Sequence, residues 1–231
     1  MNLAIVGYGK MGRLIEQLAP GYGFDVKLRL DVDNNAKFEG MTPENFRGID
    51  VAVEFSTPAT SVENIERLAK LGVNSVIGTT GWLGDIDRAR AAIERSGTGL
   101  VWGANFSVGV NIFSQIVAEA AKLMARQPEY GAWAWEIHHA AKKDRFSGTL
   151  IALVEQMKKS GYDRPIDESS SRAGAVPGTH EIGFDSAADT ITLTHTARSR
   201  EGFARGALRA ARWIVGKKGF FDFREIVNEV E

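Results

Sequence analysis

The stretch EIHHAAKKDRFSGTL, residues 136–150, gathers several chemically capable side chains. It holds two of the four histidines, then two lysines, then Ser147-Gly148-Thr149 at a predicted helix start. Histidine, with an unperturbed pKa of ~6.5, exchanges a proton near neutrality. Amides at a helix N-terminus lack intrahelical acceptors, so those of Gly148 and Thr149 suit an anion such as a carboxylate, with Ser147 as the cap. Lys142 or Lys143 adds a positive charge. His138 and His139 end a predicted strand, so their side chains point to opposite faces and at most one faces a given ligand. A plain structural role for partly buried histidines competes with this reading. No neighbouring set has zinc-ligand spacing, so no metal is expected. The chemistry implied is proton transfer to a small carboxylated molecule.

A second motif is GYGKMG, with Gly7, Gly9 and Gly12. It follows the apolar run LAIVG (3–7) and opens a helical pattern of Met11, Leu14, Ile15 and Leu18. Glycines there allow a tight turn, close approach to a pyrophosphate and open helix amides. Alone, G-x-G-x-x-G is also an ordinary strand-to-helix turn. The context strengthens it: Asp31 ends the second apolar run, at about the 20-residue distance of a ribose-binding carboxylate, with Asp33 its nearest rival. FSTP (55–58), GTTGW (78–82) and GANFS (103–107) follow three further apolar runs. In a doubly wound sheet these loops share one edge, where ligands bind. Together they predict a dinucleotide site.

The elements that must position these residues fall into two patterns. Over 1–106, apolar runs at 3–7, 24–30, 50–55, 73–78 and 99–103 alternate with helical periodicity. This predicts an α/β, Rossmann-like, doubly wound parallel sheet. The helix after the third run is expected to start at the capping-box sequence Thr60-Ser61-Val62-Glu63 and stop at Gly72. Another is expected over about 85–96, ending at Gly97. Beyond 107 comes a long helix (107–126), an extended run (132–139), a helix (149–160) closed by Gly161, and two alternating runs (180–186, 189–197). These predict a second, α+β domain over 107–202. A helix over 203–215 and FFDFREIV complete the first domain. Residues 165–178, rich in Ser, Gly and Pro, are expected to form a mobile loop.

Composition narrows the function classes. The chain has 231 residues, 44% of them hydrophobic, and a net charge of −1, which gives no basic field for nucleic acid. It has no cysteine, which removes disulfides and thiolate chemistry. No apolar run approaches the ~18 residues of a membrane span. With no basic, apolar leader pattern before LAIVG, a cytoplasmic protein is expected.

EIHHAAKKDRFSGT resembles the E-x-H-H-x-x-K-x-D-x-x-S-G-T signature of the 4-hydroxy-tetrahydrodipicolinate reductase (dihydrodipicolinate reductase) family of bacterial lysine, or diaminopimelate, biosynthesis. The likeness extends through GYGKMGR, GTTGW, ANFSVGVN, RAGAVPGTHEIGF (172–184), HTARSREGFARGALRAARW (195–213) and GFFDFREIV. The resemblance implies that His138 is the general acid/base and Lys142 a second proton donor or substrate clamp. It makes His139, Ser147, Gly148 and Thr149 substrate contacts, the last two through backbone N–H groups. It implies that Gly7, Tyr8, Gly9, Lys10, Met11, Gly12, Asp31, Gly78, Thr79, Thr80, Gly103, Ala104, Asn105 and Phe106 hold NADH or NADPH. The implied substrate is a small cyclic dicarboxylate, reduced to tetrahydrodipicolinate. The implied assembly is a homotetramer formed through the second domain.

Three features depart from the family pattern. The glycine loop is shorter than the usual G-x-x-G-x-M-G. Arg145-Phe146 replaces Ala-Pro, which removes a restriction on the loop before Ser147. Val32 stands where some relatives place an arginine that meets a 2′-phosphate. Asp31 repels such a phosphate, while Lys10 and Arg13 lie near enough to attract one. NADH is therefore expected to serve at least as well as NADPH. Two rival readings are another dehydrogenase of amino-acid metabolism, acting on aspartate or homoserine, and a non-catalytic nucleotide sensor. The first gives no reason for His-His-x-x-Lys with Ser-Gly-Thr, and the second needs no acid.

Overall fold

A computed structural model describes residues 1–231, which divide into two compact units: 1–108 with 201–231, and 109–200. In chain order the elements are β1 (Asn2–Val6), α1 (Lys10–Leu18), β2 (Asp25–Leu30), α2 (Val32–Asn35), β3 (Val51–Glu54), α3 (Pro58–Lys70), β4 (Asn74–Ile77), α4 (Ile86–Ser96) and β5 (Gly99–Trp102). The second unit contains α5 (Val108–Met124), β6 (Gly131–His138), α6 (Gly148–Lys159), β7 (Ile166–Arg172), β8 (Thr179–Asp185) and β9 (Thr190–Thr196). The chain then returns through α7 (Glu201–Ile214), β10 (Gly219–Asp222) and α8 (Phe223–Ile226).

The first unit is a six-stranded parallel sheet in the order β10-β5-β4-β3-β1-β2. Its inner strands are apolar along their length because helices cover both faces; all four residues of β3 are buried. The order reverses beside β1, so the loops after β1 and β3 diverge and leave a crevice at the carboxyl ends of the strands. The C-terminal segment adds β10 beside β5 as the sixth strand.

The start of α3 differs from its sequence signal. Thr57 is the N-cap and Pro58 opens the helix, which its fixed φ favours. The Thr60 capping box does not form: the Thr60 hydroxyl donates to the Thr57 carbonyl, and Glu63 pairs with Arg67 at 2.8 Å. Another carboxylate organises this turn. Glu54, fully buried at the end of β3, accepts hydrogen bonds from Ser56, Ser61 (3.3 Å) and Asn64 (3.2 Å). Burial raises its carboxyl above the ordinary value, against the pull of those hydrogen bonds.

The second unit is a four-stranded mixed sheet, β7-β6-β8-β9, with β7 parallel to β6 and the other pairs antiparallel. Its core joins Phe113 and Val117 of α5 and Leu150, Leu153 and Met157 of α6 to Ala134, Ile182 and Phe184 of the sheet. Each of these apolar side chains larger than alanine contributes roughly 1.5–3 kcal/mol on burial. The expectation of a mobile loop over 165–178 is wrong for its first half, because Ile166–Arg172 is strand β7. IDESSSR lacks the branched and aromatic residues that announce strands. Pairing with all of Ala132–His138 makes it one.

Helix α7 packs closely on the loop after β5. A Cβ on Gly206 would lie 1.7 Å from the Phe106 carbonyl oxygen, so neither backbone can give way cheaply. Gly206→Ala should therefore lower stability by about 2 kcal/mol or more in thermal or denaturant unfolding. Gly84→Ala, whose added Cβ meets nothing within 4 Å, is the control. Equal stabilities for the two variants would contradict this packing.

Candidate active site

Strand register assembles a cluster of titratable residues. Glu136 on β6 lies opposite Ser170 of β7 and His180 of β8, while His138, two residues on, lies opposite Arg172. Residues two apart on a strand share a face, so Glu136 and His138 point the same way and His139 points away. Glu136 has no solvent exposure. Its Oε1 accepts from the Ser147 amide (3.0 Å), the Ser170 hydroxyl (2.8 Å) and the Arg172 guanidinium (3.1 Å). Its Oε2 lies 3.6 Å from His138 Nδ1 and 3.5 Å from His180 Nε2. Burial alone drives the Glu136 carboxyl up, but the hydrogen bonds from Ser147, Ser170 and Arg172 outweigh it and hold it below the ordinary value.

Both cluster histidines favour the neutral form. Burial pushes His138 below its ordinary value; Lys142 and Arg172 act in the same direction and Glu136 opposes them. Burial, followed by the neighbouring His138, takes His180 down to about 4. The two rings meet edge to face, with centroids 5.2 Å apart. His139 is only half-buried. Glu136, His138 and His180 bring their donor atoms within 4.8 Å of one another, a set of metal-ligand types invisible in local spacing. The Arg172 guanidinium pairs with the other oxygen of this carboxylate.

The same carboxylate holds the start of α6. Ser147 is the N-cap; its buried hydroxyl accepts from the Leu150 amide (3.1 Å) and lies 3.2 Å from His180 Nε2. That hydroxyl is thus engaged by the helix and by His180. Gly148 and Thr149 occupy the first helical positions, where amides have no intrahelical acceptor, and space is open where a Gly148 Cβ would stand. Lys142 is the half-buried lysine, with its ammonium 2.6 and 2.8 Å from the Asp144 carboxylate; Lys143 is exposed. The loop lacks proline but has other anchors. Arg172 donates to the Asp144 carbonyl (2.5 Å), and Phe146 packs on the core of this unit.

In the first unit, the glycines of the first turn do different jobs. Gly7 has φ +92°, and a Cβ there would lie 2.1 Å from the Phe55 carbonyl oxygen; a Cβ on Gly12 would lie 2.3 Å from the Gly7 carbonyl oxygen. Gly9 is open on all sides and is the N-cap of α1, with no side chain to occupy the helix amides. That cradle fits a pyrophosphate. A crevice of about 430 Å³ is lined by Gly9, Lys10 and Met11, by Phe55 and Ser56 after β3, and by Gly78, Thr79 and Thr80 after β4. Phe55, Ser56 and Pro58 all belong to the FSTP loop that follows β3 on this edge. Asp31 ends β2 and caps α2, accepting from the Val32 amide while Asn34 accepts from the Asp31 amide, both at 2.9 Å. Tyr8 bonds Glu16, and Arg13 stands over the Tyr8 ring.

The loop after β5 turns an aromatic ring inward. The Phe106 ring is 2% exposed and packs against Phe55 and Phe223, so it belongs to the core, and only its backbone remains for a cofactor. Gly103 is buried against Phe223 and Phe106, and Ala104 is exposed. Neither these residues nor Asn105 line the crevice described above.

Comparison with known proteins bears on the whole chain. Family models described as dihydrodipicolinate reductase, N-terminus, and dihydrodipicolinate reductase, C-terminus, match residues 1–106 and 109–227. The 4-hydroxy-tetrahydrodipicolinate reductase of Christiangramia forsetii is 35% identical, with 100% of this chain and 99% of the relative covered. The reductase of the same name from Archaeoglobus fulgidus is also 35% identical, over 99% of this chain and 100% of the relative. Among solved structures, dipicolinate-bound dihydrodipicolinate reductase from Paenisporosarcina sp. TG-14 superposes with a TM-score of 0.82 at 19% identity, covering 99% and 98% of the two chains. Aspartate dehydrogenase from Thermotoga maritima shares the fold more loosely, with a TM-score of 0.52 at 15% identity over 94% and 97%. The chain belongs to the dihydrodipicolinate reductase family.

Proposed function

We propose that this protein reduces 4-hydroxy-tetrahydrodipicolinate to tetrahydrodipicolinate with NADH or NADPH, in lysine and diaminopimelate biosynthesis. The observation that carries this reading is the arrangement around Glu136. One oxygen of that carboxylate holds the N-terminus of α6, and the other faces His138, so an anion-binding helix end and a titratable ring share one anchor. A dehydrogenase acting on aspartate has the fold but no need for this pairing.

The residues divide the work by chemistry. The amides of Gly148 and Thr149 bind one substrate carboxylate, aided by the helix dipole. Lys142 attracts the dicarboxylate and orients it, exchanging its Asp144 partner for substrate. His139, half-exposed on the other strand face, contacts substrate more peripherally. His138 delivers a proton as the ring is reduced. A bound dihydronicotinamide supplies the hydride. Gly9 and the first amides of α1 take its pyrophosphate, Gly78-Thr79-Thr80 line its crevice, and the Asp31 carboxylate meets the adenine ribose. We also assign a cytoplasmic homotetramer assembled through the second unit's sheet, whose edge strand β9 is largely exposed and presents Ile191.

The direct test follows NAD(P)H consumption with freshly cyclised product of pyruvate and aspartate semialdehyde. No consumption with either cofactor would leave a nucleotide sensor as the better reading. His138→Gln should lower kcat by ~10²–10⁴-fold with little change in KM, since an acid that acts only in the transition state adds nothing to ground-state binding. A kcat within about threefold of wild type would remove His138 from the role. Lys142→Ala should lower kcat and raise KM, whereas exposed Lys143→Ala should resemble wild type; exchanged phenotypes would reverse the assignment.

Cofactor choice follows from charge. Asp31 repels a 2′-phosphate, and exposed Val32 offers no compensating guanidinium. Lys10 lines the crevice and exposed Arg13 stands over the Tyr8 ring, so both are the competing cations. NADH should serve at least as well as NADPH in kcat/KM. Asp31→Ser should shift the ratio toward NADPH, measured with both cofactors in parallel. A strong wild-type preference for NADPH would show instead that Lys10 or Arg13 controls the choice.

A further inference from the structure

The roles above use His138 but give no reason for a carboxylate without solvent exposure behind it. Glu136 Oε1 is saturated by Ser147, Ser170 and Arg172. Its Oε2 and His138 Nδ1 are both buried, both without a hydrogen-bond partner, and 3.6 Å apart. Leaving two buried polar atoms unpaired is costly, and an approach of about half an ångström would join them.

We propose that Glu136 is the positioning residue for His138. Its free oxygen accepts the Nδ1 hydrogen, which fixes the tautomer and leaves Nε2 as the reacting nitrogen. The carboxylate also stabilises the imidazolium from which the proton departs. The N–H bond breaks at Nε2, its electron pair stays on the ring, and the proton goes to the substrate atom made basic by hydride addition. Solvent then restores the proton.

Two further observations fit this orientation. The His180 ring stands edge-on against His138, and its own Nε2 is tied to the Ser147 hydroxyl at 3.2 Å, so it braces the ring against rotation. On the opposite side a Cβ at residue 178 would come within 2.9 Å of His138 Nε2. Gly178, at φ +151°, places no side chain of its own against that nitrogen.

The inference rests on the reading of His138 as the acid, so the test separates the two. Glu136→Gln, His138→Gln and the double variant are compared at saturating NADH, with thermal unfolding as the folding control. Glu136→Gln should lower kcat by about 10²-fold and leave KM for the dicarboxylate within about threefold. In the His138→Gln background it should cost less than about threefold more. The charged groups facing His138 are Glu136 on its own strand, Lys142 and Asp144 on the next loop, Arg172 on β7 and the titratable His180 on β8. Only Glu136 and Asp144 favour the imidazolium. Losing the Glu136 charge should therefore move the alkaline fall of kcat to lower pH. An equal cost in both backgrounds would overturn the positioning role while leaving His138 in place. A small effect of His138→Gln alone would overturn the reading beneath it. Should Glu136→Gln not fold, imidazole ¹⁵N spectra of the wild-type enzyme decide: Nδ1 protonated in the neutral ring supports the proposal, and Nε2 protonated overturns it.

Discussion

Placing an ionised carboxylate where no water reaches it demands several donors at once, and the second unit is arranged to supply them to Glu136. An isolated buried charge costs several kcal/mol after relaxation, so its donors must be held in place. They come from three separate stretches: the Ser147 amide before α6, and Ser170 and Arg172 on β7, with His180 on β8 facing the other oxygen. Satisfying Glu136 therefore fixes strand register, the start of α6 and the place of His138 together. A one-residue slip of β7 would turn Ser170 and Arg172 to the other face and leave the carboxylate unpaired.

The first unit solves a different problem. A pyrophosphate carries its own charge and needs amides, which backbone provides without any ionised side chain. Its requirement is close approach, and glycine meets it in two ways. Gly7 and Gly12 let segments of backbone pass where a Cβ would collide, whereas Gly9 leaves room for a ligand. Buried Glu54 plays a part akin to that of Glu136, tying the turn after β3 to α3 and so shaping the crevice wall at Ser56.

Much of this was legible in the chain. Period and punctuation gave the parallel sheet, since strands covered on both faces read as unbroken apolar runs bounded by glycine. The Ser147 cap and the start of α6 followed from local hydrogen-bonding preferences. The signature around His138 carried the family. Misreadings occurred where local chemistry lost to long-range pairing. Ser-rich β7 is a strand only because β6 accepts it, and the Thr60 capping box yielded to Pro58 one turn earlier. The burial of the Phe106 ring between two aromatic neighbours is likewise set by residues distant in the chain.

The sequence by itself determined the elements, the glycine turn and the run of titratable residues at the end of β6, because those depend on neighbours a few residues apart. It could not reveal that Arg172 and His180 converge on Glu136, or that Ser147 spends its hydroxyl on the helix and on His180. These contacts join residues far apart along the chain, and pairing of β6 with β7 and β8 sets them. Only the tertiary structure decided which oxygen of Glu136 is saturated and which is left facing His138, because that follows from the direction in which each donor enters a closed core.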